Sequence, residues 1–512
     1  MQYRTLTKNA KQTAFGTLLS RILGYIRDML VANFFGAGVF ADAFYAAFRI
    51  PNLFRRIFGE GAFSAAFIPV FTEYIHTKGK SETQNFLNVV FSALVLVLVI
   101  ASVLGIFFSP FLVKAIAWGF ANNPEKMQLT VELTKLMFPF ICFICLAAFL
   151  SAVLNVLHSF FLSAFAPSAL SISEIFYMLS VAPFLIEQNQ IKGLAVSVIF
   201  GGFLHLLVQY PKLRFFGFHL KFKFNFNHPA LKKVFFLMVP SVLGLSVDQI
   251  NSFIDTICGS FLESGSITSL YYSNRIMQLP LAIFGIALAS VSLPTLSESY
   301  VQKDISSFKK SLNFSIRLSL FALLPSMLGL SAIGFEAVRL LFERGHFDIS
   351  NSIMTSTALF YYSLGLPAYS ASKIFANAFY AFQDTKTPVK MAAWSMIAHV
   401  FLCVVLMRPL GVGGLAFATS IASYLNTFLL IFYLNKKIGS FGFKQIWYCV
   451  GKTFISSTLG AIAAFFAVKL CSNLLINVPI AILSAIVVFF LLSKLLKSEE
   501  LEAFLSTLKT SK

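Results

Sequence analysis

The sequence predicts an all-α polytopic membrane protein of about fourteen transmembrane helices, built as two pseudo-symmetric six-helix lobes plus two C-terminal helices. Composition, the rhythm of apolar runs and an internal repeat each point there. Of 512 residues, 57% are hydrophobic and 12% charged, with a mean hydropathy of +0.79. Soluble domains carry about 25% charged residues, so this chain is no soluble globule. Its 61 phenylalanines suit lipid-facing helices. Apolar runs of about 20 residues recur between short polar breaks. They centre near Leu19, Leu53, Leu98, Ile141, Met178, Gly201, Leu245, Phe284, Leu320, Leu364, Ala398, Ala422, Ala461 and Val487.

The polar breaks set the orientation. Alternate loops are rich in cations: Lys78 and Lys80, then Lys212 to Lys233, Lys303 to Lys310, Lys386 and Lys390, and Lys436 to Lys444. Both termini share that character, while the intervening loops carry only scattered basic residues such as Lys126, Lys192 and Arg408. Positively charged loops stay in the cytoplasm, which predicts cytoplasmic termini and an even number of spans. The net charge of +19 therefore reads as loops held at an anionic membrane face, and no nucleic-acid partner is expected. Arg21 and Arg27 interrupt the first apolar run before any cleavage site, which argues against a signal peptide.

The repeat comes from laying residues 41–64 on residues 267–290 without a gap. Tyr45 then meets Tyr271, Arg49-Ile50 meets Arg275-Ile276, and Ile57-Phe58-Gly59 meets Ile283-Phe284-Gly285. A second pairing, Asn155 and Pro167 with Asn377 and Pro388, supports an offset near 220 residues. Repeats separated by six spans keep one orientation, giving parallel lobes related by an axis along the membrane normal. The expected division is 1–225 for the first lobe, 226–440 for the second, and 441–512 for two spans outside the duplication.

Chemistry concentrates between Ser20 and Tyr74, where Arg21, Arg27, Asp28, Asp42, Arg49, Arg55, Arg56 and Glu60 sit in apolar text. An ionised side chain at bilayer depth costs about 2.5–3.5 kcal/mol on insertion scales, so it normally faces a watery cavity or an opposite charge. Asp42, Arg49 and Arg56 recur every seven residues, near one helical face. A cationic membrane-embedded anion site follows. The repeat makes Arg49 and Arg275 equivalent, and a matched pair of guanidiniums across a cavity suits a diphosphate. Pairing of Arg49 with Asp42 is the competing reading. Asp248 and Asp255 lie seven apart on the seventh span, and Asp384 ends the tenth; their oxygens suit a hard cation, while helix capping is an equal alternative.

Other activities find little support. Gly79-Lys80-Ser81 lacks the glycine five residues earlier that a phosphate loop needs, Tyr74 standing there. No His-Glu-x-x-His or nucleophile elbow occurs, so no catalytic residue and no enzyme activity are expected. Cys142 and Cys145 form a lone C-x-x-C in apolar text, without a second metal-binding pair.

The segments SRILGYIRD, FGAG, ADAFYAAFRIPNLFRRIF and EGAFSAAFIP, then YYSNRIMQLP and QDTKTPVK, resemble the signature of the MurJ/MviN family, the lipid II flippases of bacterial cell-wall synthesis. The resemblance runs over nearly the whole chain. It implies the fold of the MOP exporter superfamily and a substrate, undecaprenyl diphosphate bearing a disaccharide-pentapeptide, moved from the inner to the outer leaflet of the cytoplasmic membrane by alternating access. It places substrate-binding roles on Ser20, Arg21, Arg27, Asp42, Arg55, Glu60 and Arg275, with Arg49 on a basic family position. The acid that often precedes the late arginine is Asn274 here. It implies a hydrophobic groove for the prenyl tail in the last two spans. It further implies a sodium site, to which Asp248, Asp255 and Asp384 are assigned, with Na+ as coupling ion and no other cofactor. Lipid II, membrane lipids and cell-wall synthesis proteins are the implied partners. A flippase for another lipid-linked oligosaccharide, a multidrug exporter of the same superfamily and a non-transporting scaffold remain the alternatives.

Overall fold

The computed structural model describes residues 2–55, 62–470 and 473–510. Glu60 and Arg56 lie outside the described residues, as does the side chain of Asp248. The chain divides into two compact units, Met1–Ile267 and Thr268–Lys512. Among the described residues, seven helices are long and apolar enough to cross a membrane, or eight if one bent pair counts as a span.

The first unit begins with α1 (Gln2–Phe35), α2 (Val39–Phe54), α3 (Ala62–Thr77) and α4 (Gly79–Ile116). It continues with α5 (Pro124–Met137), α6 (Phe140–Val156), α7 (Phe160–Phe165), α8 (Ser168–Ser180), α9 (Glu187–Phe215) and α10 (Pro229–Ser260). Phenylalanines four apart on α3 build its core, because residues at i and i+4 share a helix face. Phe63, Phe67 and Phe71 stack at 5.2 and 5.1 Å between centroids. Phe86 of α4 and Phe149 of α6 close on Phe67 at 5.6 and 5.3 Å. Phenylalanine thus serves both surfaces: Phe107 and Phe111 of α4 point outward, 75% and 70% exposed, while this ladder is buried.

The second unit takes up the chain within α11 (Ser266–Pro280), then α12 (Ala287–Val301), α13 (Ile305–Phe342), α14 (Ile349–Leu364) and α15 (Leu366–Ala381). Next come α16 (Lys386–Ile438), α17 (Phe443–Ala467), α18 (Leu474–Leu495) and α19 (Glu499–Thr510). The two spans expected near Ala398 and Ala422 form one assigned helix, α16, broken at Gly411, where φ is +55° and Pro409 lies just before. A left-handed φ suits glycine, and the break separates the two runs.

Helix boundaries carry the duplication further than the sequence did. α4 and α13 each span 38 residues, and their ends differ by 226 positions, from Gly79 to Ile305 and from Ile116 to Phe342. Phe140 and Leu366, which open α6 and α15, keep that offset. So do Arg55 and Leu281, where a π-helical turn opens in each copy. The pairing of Asn155 with Asn377 is therefore out of register by four. A slip of about one turn leaves the same face apolar, which is why it aligned so well. By the same offset α10 is the counterpart of α1, yet it packs on α3 and α4 within the first unit.

The last two spans pack on each other and on α13. A Cβ placed on Gly460 of α17 would stand 2.9 Å from the Ala485 carbonyl of α18, so the backbones cross closely. α19 is tied beneath them. Arg317 of α13 donates from Nε to Glu500 and from Nη2 to Glu499, both at 2.6 Å, while Leu501 packs with Phe321 and Phe489. Burial opposes ionisation of the Glu500 carboxyl, but hydrogen bonds from Ser498 and the Arg317 guanidinium hold it below the ordinary carboxylate value. A carboxyl depressed in the folded state contributes stability above its unfolded pKa and loses it as pH falls through the folded one. Proteolysis of the 496–510 segment is accordingly expected to accelerate on acidification below about pH 4, and Glu500→Gln should show the accelerated rate already at pH 7.

Candidate functional site

The first unit draws three ionisable groups together. Arg27 of α1 donates to Asp28 Oδ1 from Nε at 3.0 Å and from Nη2 at 2.6 Å. Its Nη1 lies 3.7 Å from Glu174 Oε1 on α8. Asp28 is fully buried and Glu174 is 2% exposed. Glu174 escaped the sequence reading because a single acid in an apolar helix gives no spacing signal. Earlier on α1, Ser20 is half-buried and Arg21 exposed.

Asp42 is held elsewhere. It sits in the first turn of α2, 1% exposed, and accepts from Lys126 Nζ at 2.8 Å. Its Oδ2 also accepts the Gly265 N–H at 2.7 Å. Lys126 lies 4.2 Å over the Phe120 ring and 3.4 Å from Ser264 Oγ. Gly265 has φ +98°, and a Cβ there would meet the Ala37 carbonyl oxygen at 2.3 Å. Only glycine fits that approach. These contacts make Asp42 a clamp between the starts of α2 and α5 and the 264–265 turn, a role that spacing alone did not suggest. Breaking a buried pair leaves one charge uncompensated and costs about 3–5 kcal/mol. Asp42→Ala is expected to lower the melting temperature of detergent-purified protein by several degrees, with Asp42→Ala/Lys126→Met recovering part of the loss.

Arg55 closes α2, with Nε donating to Asn52 Oδ1 at 2.8 Å. It lies within electrostatic reach of Cys145 on α6 and His205 on α9. His205 is 5% exposed, and its ring nitrogens make no hydrogen bond among the described residues. Arg49 is half-buried on α2.

In the second unit, Arg275 is half-buried on α11, while Asn274 beside it accepts a hydrogen bond from Gln278. Asp255 of the first unit is half-buried on α10. Asp384 caps α16: it accepts from Thr387 N at 3.0 Å, Thr387 Oγ1 at 2.9 Å and Lys437 Nζ at 3.2 Å. Both carboxylate oxygens accept from donors, one of them cationic. The capping alternative describes it.

Among the described residues the body is helical, with membrane-length helices, duplicated element boundaries and half-buried arginines inside its units, which defines a polytopic membrane protein. An inward-facing multidrug resistance MATE family transporter of the MOP superfamily shares this fold with a TM-score of 0.65 at 12% identity, over 82% of this chain and 95% of that one. The family model for lipid II flippase MurJ matches residues 31–505, and the chain belongs to that family. A probable lipid II flippase MurJ of Vibrio cholerae is 38% identical over 421 residues, 81% of this chain and 80% of the relative. The lipid II flippase MurJ of Burkholderia cenocepacia is 37% identical over 82% of each chain. A solved lipid II flippase MurJ in an inward closed conformation superposes with a TM-score of 0.79 at 28% identity, covering 94% of this chain and 98% of that one.

Proposed function

We propose that this protein is a non-catalytic flippase that carries lipid II from the inner to the outer leaflet of the bacterial cytoplasmic membrane by alternating access. The family match across residues 31–505 carries the reading. The arginines support it, because guanidinium stays charged at any membrane depth and grips phosphate oxygens in bidentate fashion. Arg27, Arg55 and Arg49 supply that chemistry in the first unit and Arg275 in the second. A multidrug exporter would gain nothing from them. The outward faces of α17 and α18, with Leu459, Phe466, Leu483 and Val487 exposed, suit the prenyl tail.

Complementation tests the reading. Expression in a strain depleted of its own lipid II flippase should restore growth, and failure with normal membrane accumulation would count against it. The proposed orientation, both termini cytoplasmic, follows from the basic loops. Cysteines placed at Lys80, Lys310 and Lys437 should resist impermeant maleimide applied from outside, whereas one at Asn123 should react.

A further inference from the structure

Between α9 and α10 the chain lies along α4 in a way that membrane helices rarely permit. Gln84, Asn88 and Ser92 form a polar stripe, one residue every turn, on a helix otherwise apolar enough to span a bilayer. Gln84 Oε1 accepts the His219 N–H at 2.9 Å, and its Nε2 donates to the His219 carbonyl. Asn88 Oδ1 accepts the Lys221 N–H at 3.0 Å, and Ser92 Oγ the Lys223 N–H at 2.6 Å. Bonding at every second residue is that of an extended chain. The match is geometric, since four helical residues rise about 6 Å and two extended residues about 6.6 Å. The stripe thus seats the strap at three successive points, and it satisfies backbone donors that lipid could not.

The far side of the strap is open. Among the described residues, the N–H groups of Leu220, Phe222 and Phe224 make no hydrogen bond. Phe222, Phe224 and Phe226 stand 65%, 59% and 53% exposed, their rings 6.2 and 6.3 Å apart in series. Phe222 also meets Phe91 of α4 at 5.4 Å, which joins the comb to the lipid-facing surface of that helix, where Leu96 and Val97 are exposed. Lys221 and Lys223 alternate with the rings and are exposed. From Tyr210 to Lys233 the chain carries Lys212, Arg214, Lys221, Lys223, Lys232 and Lys233 and no acid. Of these, Lys233 pairs with Glu73 of α3 at 2.6 Å.

We infer that residues 219–226 form an interfacial strap that binds anionic phospholipid headgroups, with Phe222, Phe224 and Phe226 inserted among the acyl chains and Lys221, Lys223 and the open N–H edge facing the phosphates. Aromatic side chains and lysines together favour the headgroup boundary. Each lysine near an anionic surface adds a modest attraction that salt screens. Charge selects a lipid surface over an edge-pairing peptide, because exposed Lys221 and Lys223 flank Phe222 and Lys223 precedes Phe224, with no acid in the segment.

The test uses the full-length protein in nanodiscs of phosphatidylcholine alone or with three parts in ten phosphatidylglycerol, and follows hydrogen exchange of the 219–226 amides by mass spectrometry. Exchange should slow on the order of tenfold in the anionic discs. Lys221→Gln/Lys223→Gln should return it to the neutral-disc rate while α4 exchange stays unchanged. Phe222→Ser/Phe224→Ser should speed exchange in both discs. Equal rates in the two lipids would overturn the inference, as would protection that appears only after cytosolic protein is added.

Discussion

Arg275→Ala is expected to abolish complementation of a flippase-depleted strain while the protein inserts and accumulates normally. Charge-assisted hydrogen bonds contribute about 1.5–3 kcal/mol each, so losing a bidentate grip on phosphate weakens binding by roughly two decades or more. Asn274 stands where an acid would otherwise compete for the guanidinium, and Asn274 is engaged with Gln278. Arg275→Lys should restore growth only in part, because an ammonium keeps the charge but loses the planar fork. Binding of lipid II to purified variants, measured beside growth, separates lost recognition from lost folding. Parental affinity together with normal growth for Arg275→Ala would remove Arg275 from the substrate site.

Arg27→Ala should fail for a different reason. Arg27 is the cation set against two buried carboxylates, Asp28 and Glu174. Its removal strands charge in a helix interface, where breaking a buried pair costs about 3–5 kcal/mol. The variant is expected to accumulate poorly and to melt well below the parent in detergent. Neutralising both acids as well, in Arg27→Ala/Asp28→Asn/Glu174→Gln, should recover much of the accumulation without recovering transport. If Arg27→Ala folds as well as the parent, the arginine is held for the substrate alone.

The sequence was most legible where the physics is local. Apolar runs gave the helices: a helix stands at each predicted centre, and even the break inside α16 falls between the Ala398 and Ala422 runs. The gapless overlay of residues 41–64 on 267–290 gave an offset that helix ends then repeated. Partners far apart in the chain were not legible. Asp42 finds Lys126 and Gly265, 84 and 223 residues away, and no spacing rule reaches that far. Nor does periodicity reveal that the polar stripe of α4 serves a strap more than 130 residues later. Asp384 was legible in part: the helix-capping alternative matches the Asp384-x-x-Thr387 pattern already in the sequence.

Movement of lipid II between leaflets by this chain can be measured directly. The direct measurement is the fraction of lipid II accessible at the outer face of cells depleted of the protein, assayed with a membrane-impermeant enzyme that cleaves the exposed headgroup. The account predicts that accessible lipid II falls while total lipid II rises, and that wild-type protein but not Arg275→Ala reverses both. An unchanged accessible fraction after depletion, with no other flippase present, would contradict it.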